Sequence, residues 1–243
     1  MKNDERIKQM NLPQILLYHL LPGVPILLLA IVFANPDWGF GFPSLLSVLL
    51  GAAIGLIPVQ LLTIMLTAKR QGMKFRDAFP FIEKTSIGKL LLWAASCFIL
   101  GILAFGLFSD VEYLLWQNFT LMPDWLRLDK YSMEDWGVGI LRVTAVVNLV
   151  INGLLGSFTE EVYFRGFLLP RMNMLGKFAP LVNAALFSVY HLFSPWEVIT
   201  RVLGCTPFAY AVWFKKDMRI SMIVHCSMNL IGSIGMMITV FSL

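Results

Sequence analysis

"FTEEVYFRGFLL", Phe158–Leu169, sets two adjacent carboxylates and an arginine among aromatic and aliphatic residues. How that stretch is read depends on the solvent around it. The chain has 243 residues, 58% of them hydrophobic and only 14% charged, and its mean hydropathy is +0.73. A soluble domain carries about 25% charged residues. So large a deficit points to lipid as the solvent, and to an all-α, polytopic membrane helix bundle.

Working outward, apolar stretches long enough, or nearly so, to cross a bilayer core of about 30 Å lie near Ile15–Phe33, Leu45–Leu66, Leu90–Phe108, Val138–Leu155, Pro180–Phe193, Val198–Phe214 and Ile220–Phe241. That gives about seven transmembrane helices, with eight as the upper count. The fifth stretch is short and is expected to be tilted or to sit inside the bundle. Without a linker or an internal repeat, residues 1–243 read as a single integral-membrane domain, with its motif-bearing core at about 138–243. Basic residues and a terminal "VFA" give the first stretch a passing likeness to a signal peptide. Its apolar run exceeds the usual 7–15 residues of such a core, so an uncleaved anchor is expected.

Charge orients the bundle. All of the 19 basic residues except Arg127, Lys130, Arg142 and Arg201 fall at the N-terminus or in alternate loops on its side. Asp37, Asp110, Glu112, Asp124, Asp129, Glu134, Asp135 and Glu197 fall on the other side. The positive-inside rule then puts the N-terminus in the cytoplasm. The net charge of +4 suits an anionic leaflet and requires no nucleic acid. Lys69–Lys89 is expected to run along the cytoplasmic surface. Ser109–Gly137, with Tyr113, Trp116, Trp125, Tyr131 and Trp136, reads as an outer loop with an aromatic belt. Arg142 and Arg201 are expected to snorkel from helix ends. Cys97, Cys205 and Cys226 read as small apolar helix residues, with no disulfide implied.

Ionisable groups at membrane depth pair, line a cavity, or work. Glu161 and Arg165 are one helical turn apart and can form an ion pair. Glu160 points about 100° away and is left unpaired within its own helix. An unpaired carboxyl in an apolar site suits general acid–base chemistry. Two further histidines lie in other apolar stretches, each one turn from a residue on the same face: His191 with Phe187, and His225 with Asn229. His19 has no polar residue one turn away and reads as structural or interfacial. Glu160 with a neutral imidazole could activate water, while a histidine and the Asn229 amide stabilise an oxyanion. Glu160, His191 and His225 also form a possible catalytic zinc set, so a divalent metal stays open beside the expectation of no cofactor. Ser157 and Ser188 lie in no GxSxG turn, and Cys226 points away from its neighbour His225.

Glu160–Glu161–x–x–x–Arg165, Phe187–x–x–x–His191 and His225–x–x–x–Asn229 together resemble the three motifs of the CPBP family, the CAAX-protease and bacteriocin-processing (Abi) intramembrane proteases. "YFRGFLL" and "RISMIVHCSMNLI" resemble its patterns too. The likeness covers about Phe158–Gly232. It implies a glutamate-dependent membrane endopeptidase, open toward the cytoplasm, acting on a peptide or on a lipid-anchored or membrane protein. Glu160 and His191 would activate water, His225 and Asn229 would bind the oxyanion, and Glu161, Arg165 and Phe187 would support the site. Eukaryotic members trim prenylated CAAX proteins. Bacterial members process peptides, confer bacteriocin immunity or regulate signalling. A bacterial plasma membrane is the expected location. The alternative is a non-enzymatic immunity or scaffolding protein of the same fold. A proton-coupled transporter ranks last, because no two halves of the chain match.

Overall fold

The computed structural model describes residues 7–82, 85–128 and 136–243. Lys2, Arg6, Lys84, Asp129, Lys130, Tyr131, Glu134 and Asp135, which entered the charge and belt readings, lie outside the described residues. The fold is helical: α1 (Leu12–Ala34), α2 (Ser44–Arg70), α3 (Ile87–Leu107), α4 (Ser109–Asn118), α5 (Val138–Arg171), α6 (Ala179–Val189), α7 (Val198–Lys215) and α8 (Arg219–Phe241). In lipid a helix satisfies its own backbone, so an apolar chain of this kind has few alternatives. Among the described residues, α1, α2, α3, α5 and α8 are long and apolar enough to cross a membrane. The protein is a multi-pass integral membrane protein.

The longest apolar helices show how the bundle packs. On α3, Leu90, Ala94, Cys97 and Gly101 form the buried stripe. Leu91, Leu92, Ile99, Leu100 and Leu103 are exposed. A soluble protein would bury those leucines, whereas against lipid tails they cost nothing and small residues let helices approach closely. α1 begins with a capping box: the Asn11 side chain accepts from the Gln14 amide at 3.0 Å, and Gln14 returns a bond to the Asn11 amide at 3.1 Å.

Hydrogen bonds between loops fix which helix ends lie together. The amide of Met10, before α1, donates to the Arg171 carbonyl at the end of α5. Thr85, before α3, and Arg219, at the start of α8, are joined through Asp217. Tyr210 near the end of α7 donates to the Lys177 carbonyl before α6. One end of the bundle therefore gathers the starts of α1, α3, α6 and α8 and the ends of α5 and α7. α6 has 11 residues and a length of about 16 Å, so it runs only part-way in before α7 returns. This is the short fifth stretch, with one face buried in the bundle and Leu181 and Val189 exposed on the other.

Three expectations need correction. The 109–137 stretch is not all loop, because Ser109–Asn118 is helical and Leu126 is buried. The Lys69–Lys89 segment does not merely lie on a surface: Ala78, Phe79 and Phe81 are buried, and Phe81 packs edge-on against Trp213. Arg165 and Arg171, assigned by charge to a cytoplasmic loop, are both fully buried on α5. A basic residue just beyond an apolar run looks like a flank in sequence, but α5 continues for 34 residues and carries both into the core.

Candidate active site

The Phe158–Leu169 stretch lies in the C-terminal half of α5, where irregular turns interrupt the helix. Ile151–Gly156 and Val162–Leu168 are wide, π-helical turns on either side of Ser157–Glu161. Such turns free carbonyls from the ordinary ladder and re-aim side chains, and they are frequent at functional sites. Gly156 fits the first turn because a Cβ there would meet the Ile151 carbonyl oxygen at 2.7 Å.

Glu161 and Arg165 form the ion pair expected from their spacing, Nη1 to Oε1 at 3.1 Å, with both side chains fully buried. The guanidinium stacks 4.1 Å from the Phe187 ring centre and 5.0 Å from that of Phe208. The same Glu161 oxygen accepts from His225 Nδ1 at 2.8 Å. That bond leaves His225 Nε2 as the acceptor for the Asn229 amide, 3.2 Å away. Asn229 Nδ2 also donates to Asn152 Oδ1 at 3.2 Å. A continuous polar chain thus runs from Arg165 through Glu161, His225 and Asn229 to Asn152, with each link fixing the orientation of the next.

Glu160 lies on the other side of this chain. Its Oε1 accepts from the Tyr190 hydroxyl, and its Oε2 is 3.7 Å from His225 Nε2. His191 lies just beyond α6, where its Nδ1 donates to the Phe187 carbonyl at 2.8 Å, leaving Nε2 as an acceptor. Glu160, His191, His225 and Asn229 all line one cavity of about 290 Å³. Glu161 and Arg165 stay behind its wall. The four lining residues come from α5, the α6–α7 turn and α8, and reckoned at 1.5 Å per residue they lie about 9 to 18 Å along their helices from the shared end of the bundle.

Arg201 is placed differently from the expectation. Arg201 does not snorkel. It lines the cavity, pairs with Glu197, donates to Ser194 Oγ at 2.9 Å and reaches the Ser188 carbonyl at 3.5 Å. Arg142 stacks 5.4 Å from the Phe241 ring centre. His19 is buried and held by the Ile15 carbonyl at 2.7 Å and by Asn183 at 3.0 Å, a structural role. Ser157 and Ser188 hydroxyls are engaged by the Asn152 and Ala184 carbonyls, both at 2.8 Å. Sequence reasoning missed Tyr190, Asn152 and Arg201. Asn152 carried a usable signal, a polar residue at membrane depth eight before Glu160, whereas Tyr190 looked like any core aromatic.

The donors do not fit a resident zinc. Both ring nitrogens of His225 have protein partners. Among the described residues, no three His, Cys, Asp or Glu side chains gather in a metal-holding group. No step is routed through a metal.

Comparison with known proteins adds an independent finding. Residues 142–231 match the family model described as type II CAAX prenyl endopeptidase Rce1-like. A Bacillus subtilis (strain 168) protein named "Putative membrane peptidase YdiL" is 22% identical over 151 residues, covering 60% of this chain and 57% of that protein. The chain therefore spans less than two thirds of that relative's length. No solved structure matches the chain. The segment that matches this Rce1-like model contains Glu160, His191, His225 and Asn229.

Proposed function

We propose that the protein is an intramembrane endopeptidase that hydrolyses a peptide bond of a membrane-associated or peptide substrate. The supporting observation is that Glu160, His191, His225 and Asn229, from separate elements, line a single cavity inside an apolar bundle. Glu160 Oε2 takes a proton from a water molecule that is also held by His191 Nε2, and the water oxygen attacks the scissile carbonyl carbon. The negative charge that develops on the carbonyl oxygen is met by the Asn229 amide, one N–H of which turns from His225 Nε2 to the substrate, and by His225 once its Nε2 carries a proton. Preorganised donors of this kind contribute strongly to acyl-transfer catalysis. When the tetrahedral intermediate collapses, the C–N bond breaks and Glu160 returns its proton to the departing amine.

Glu161 and Arg165 play no direct part in these transfers. They hold His225 Nδ1 so that Nε2 faces the chemistry, as a carboxylate does for a catalytic imidazole elsewhere. Tyr190, donating to Glu160 Oε1, leaves Oε2 as the working oxygen.

The test compares wild type with Glu160→Gln, expressed to equal levels in a strain lacking the native copy. New peptide termini are mapped by mass spectrometry, with and without a chelator. Cleavages seen only with wild type, and unchanged by chelator, are the expected result. Identical termini from both strains would contradict the proposal.

A further inference from the structure

A second polar pocket of about 240 Å³ lies at the shared end of the bundle, apart from the catalytic cavity. Its walls include Lys8, Gln9, Arg70 and Arg171. Among the described residues, three cations and no acid line it. Among the described residues, neither Lys8 nor Arg70 joins an ion pair, and both are exposed.

Arg171 is the unusual member. Its side chain is fully buried. Nη1 donates to the Phe167 carbonyl at 2.6 Å and the Ala78 carbonyl at 3.0 Å, and the guanidinium stacks 4.0 Å from the Phe167 ring centre. Among the described residues, Nε and Nη2 have no hydrogen-bond partner. Arg165 is buried too, but a carboxylate faces it. A buried cation without a counter-charge is costly, and so is each unpaired N–H. The walls around Arg171 are built the same way. Gln9 is fixed by its bonds to the Pro170 carbonyl at 3.3 Å and the Asn173 amide at 3.2 Å, which stitches the segment before α1 across the end of α5.

The position of the pocket indicates the source of the missing charge. Leu12, Arg70 and Arg171 end three helices that can cross a membrane, so the pocket sits where apolar span gives way to water. Phosphate is the anion held at that level in a bilayer, and guanidinium binds it with two N–H groups at once. We propose that this pocket binds a phosphate group, that of an anionic phospholipid headgroup, with Arg171 as the buried anchor and Arg70 and Lys8 closing over it.

The test uses the full-length protein in a zwitterionic detergent, with native mass spectrometry counting retained lipid during titration with phosphatidic acid, phosphatidylcholine or inorganic phosphate. Lys8→Gln with Arg70→Gln is the diagnostic variant, since both residues are exposed and outside the core. Arg171→Gln is a second variant, read only if its melting point shows that it folds. Each charge-assisted contact is worth on the order of tenfold in affinity, so the double variant should lose at least that for phosphatidic acid. Phosphatidylcholine should bind weakly to both forms. Equal retention of phosphatidic acid by wild type and variant would overturn the proposal, and tighter binding of inorganic phosphate than of the lipid would overturn the lipid assignment.

Discussion

At the scale of single residues, adjacent carboxylates take opposite environments. Glu161 is enclosed with Arg165 and His225, whereas Glu160 opens to the cavity. The i,i+4 spacing made the first legible in sequence, and the 100° step between neighbours made the second an inference rather than a guess. Tyr190 was not legible, because nothing in "FSVYH" separates a hydroxyl that meets a carboxylate from an aromatic that fills space. Arg165→Met would leave Glu161 buried without the guanidinium it pairs with. Breaking one partner from a buried pair costs about 3–5 kcal/mol, which a shifted denaturation midpoint in detergent would register. Asn152→Ala acts differently. It removes the Oδ1 acceptor that holds the Asn229 amide, so kcat should fall about tenfold with KM little changed, which steady-state kinetics would resolve.

At the scale of elements, the geometry of the cavity depends on departures from ideal helices. Hydropathy located α5 and its neighbours, but it could not reveal the wide turns around Ser157–Glu161 or a helix reaching on to Arg171, because both preserve the apolar pattern. Sequence likewise gave no sign that Arg201 bonds on both sides of the His191 turn, since its partners Ser188, Ser194 and Glu197 are unremarkable alone. That turn is also pressed against α1: a Cβ on Gly23 would meet the Tyr190 carbonyl oxygen at 2.1 Å. Gly23→Ala should therefore displace Tyr190 and His191, costing about 1–3 kcal/mol and most of the activity, as a melting curve and a cleavage assay run together would show.

The joint between the α2–α3 loop and the α7–α8 turn has its own pH dependence. Burial acts to raise the Asp217 carboxyl, but bonds from Arg219 and Thr85 outweigh it and hold the group below the usual carboxylate range. A carboxyl lowered in the folded state adds stability above its unfolded value of about 3.9, and that stability is lost as pH falls through the folded value. Unfolding followed from pH 6 downward should show this acid loss in wild type and a flatter response in Asp217→Asn.

At the scale of the whole molecule, the bundle presents apolar side chains to lipid and gathers its polar groups into a closed interior and one basic end. Apolar runs and charge alternation made that plan readable. The depth of Arg171 was not readable, because a buried and a solvated arginine look alike at the end of a run. Five crossings, or seven with α6 and α7 counted, both place Asn11 and Ser242 on opposite faces, and reporter fusions at each should read opposite compartments. The central claim is that Glu160 carries a proton for peptide hydrolysis inside this bundle. The most direct measurement is the initial rate at which the purified protein, reconstituted in vesicles, cleaves a peptide identified by terminus mapping. Glu160→Gln should lower that rate at least a hundredfold with an unchanged melting point. Cleavage by a folded Glu160→Gln protein at near the wild-type rate would contradict the account.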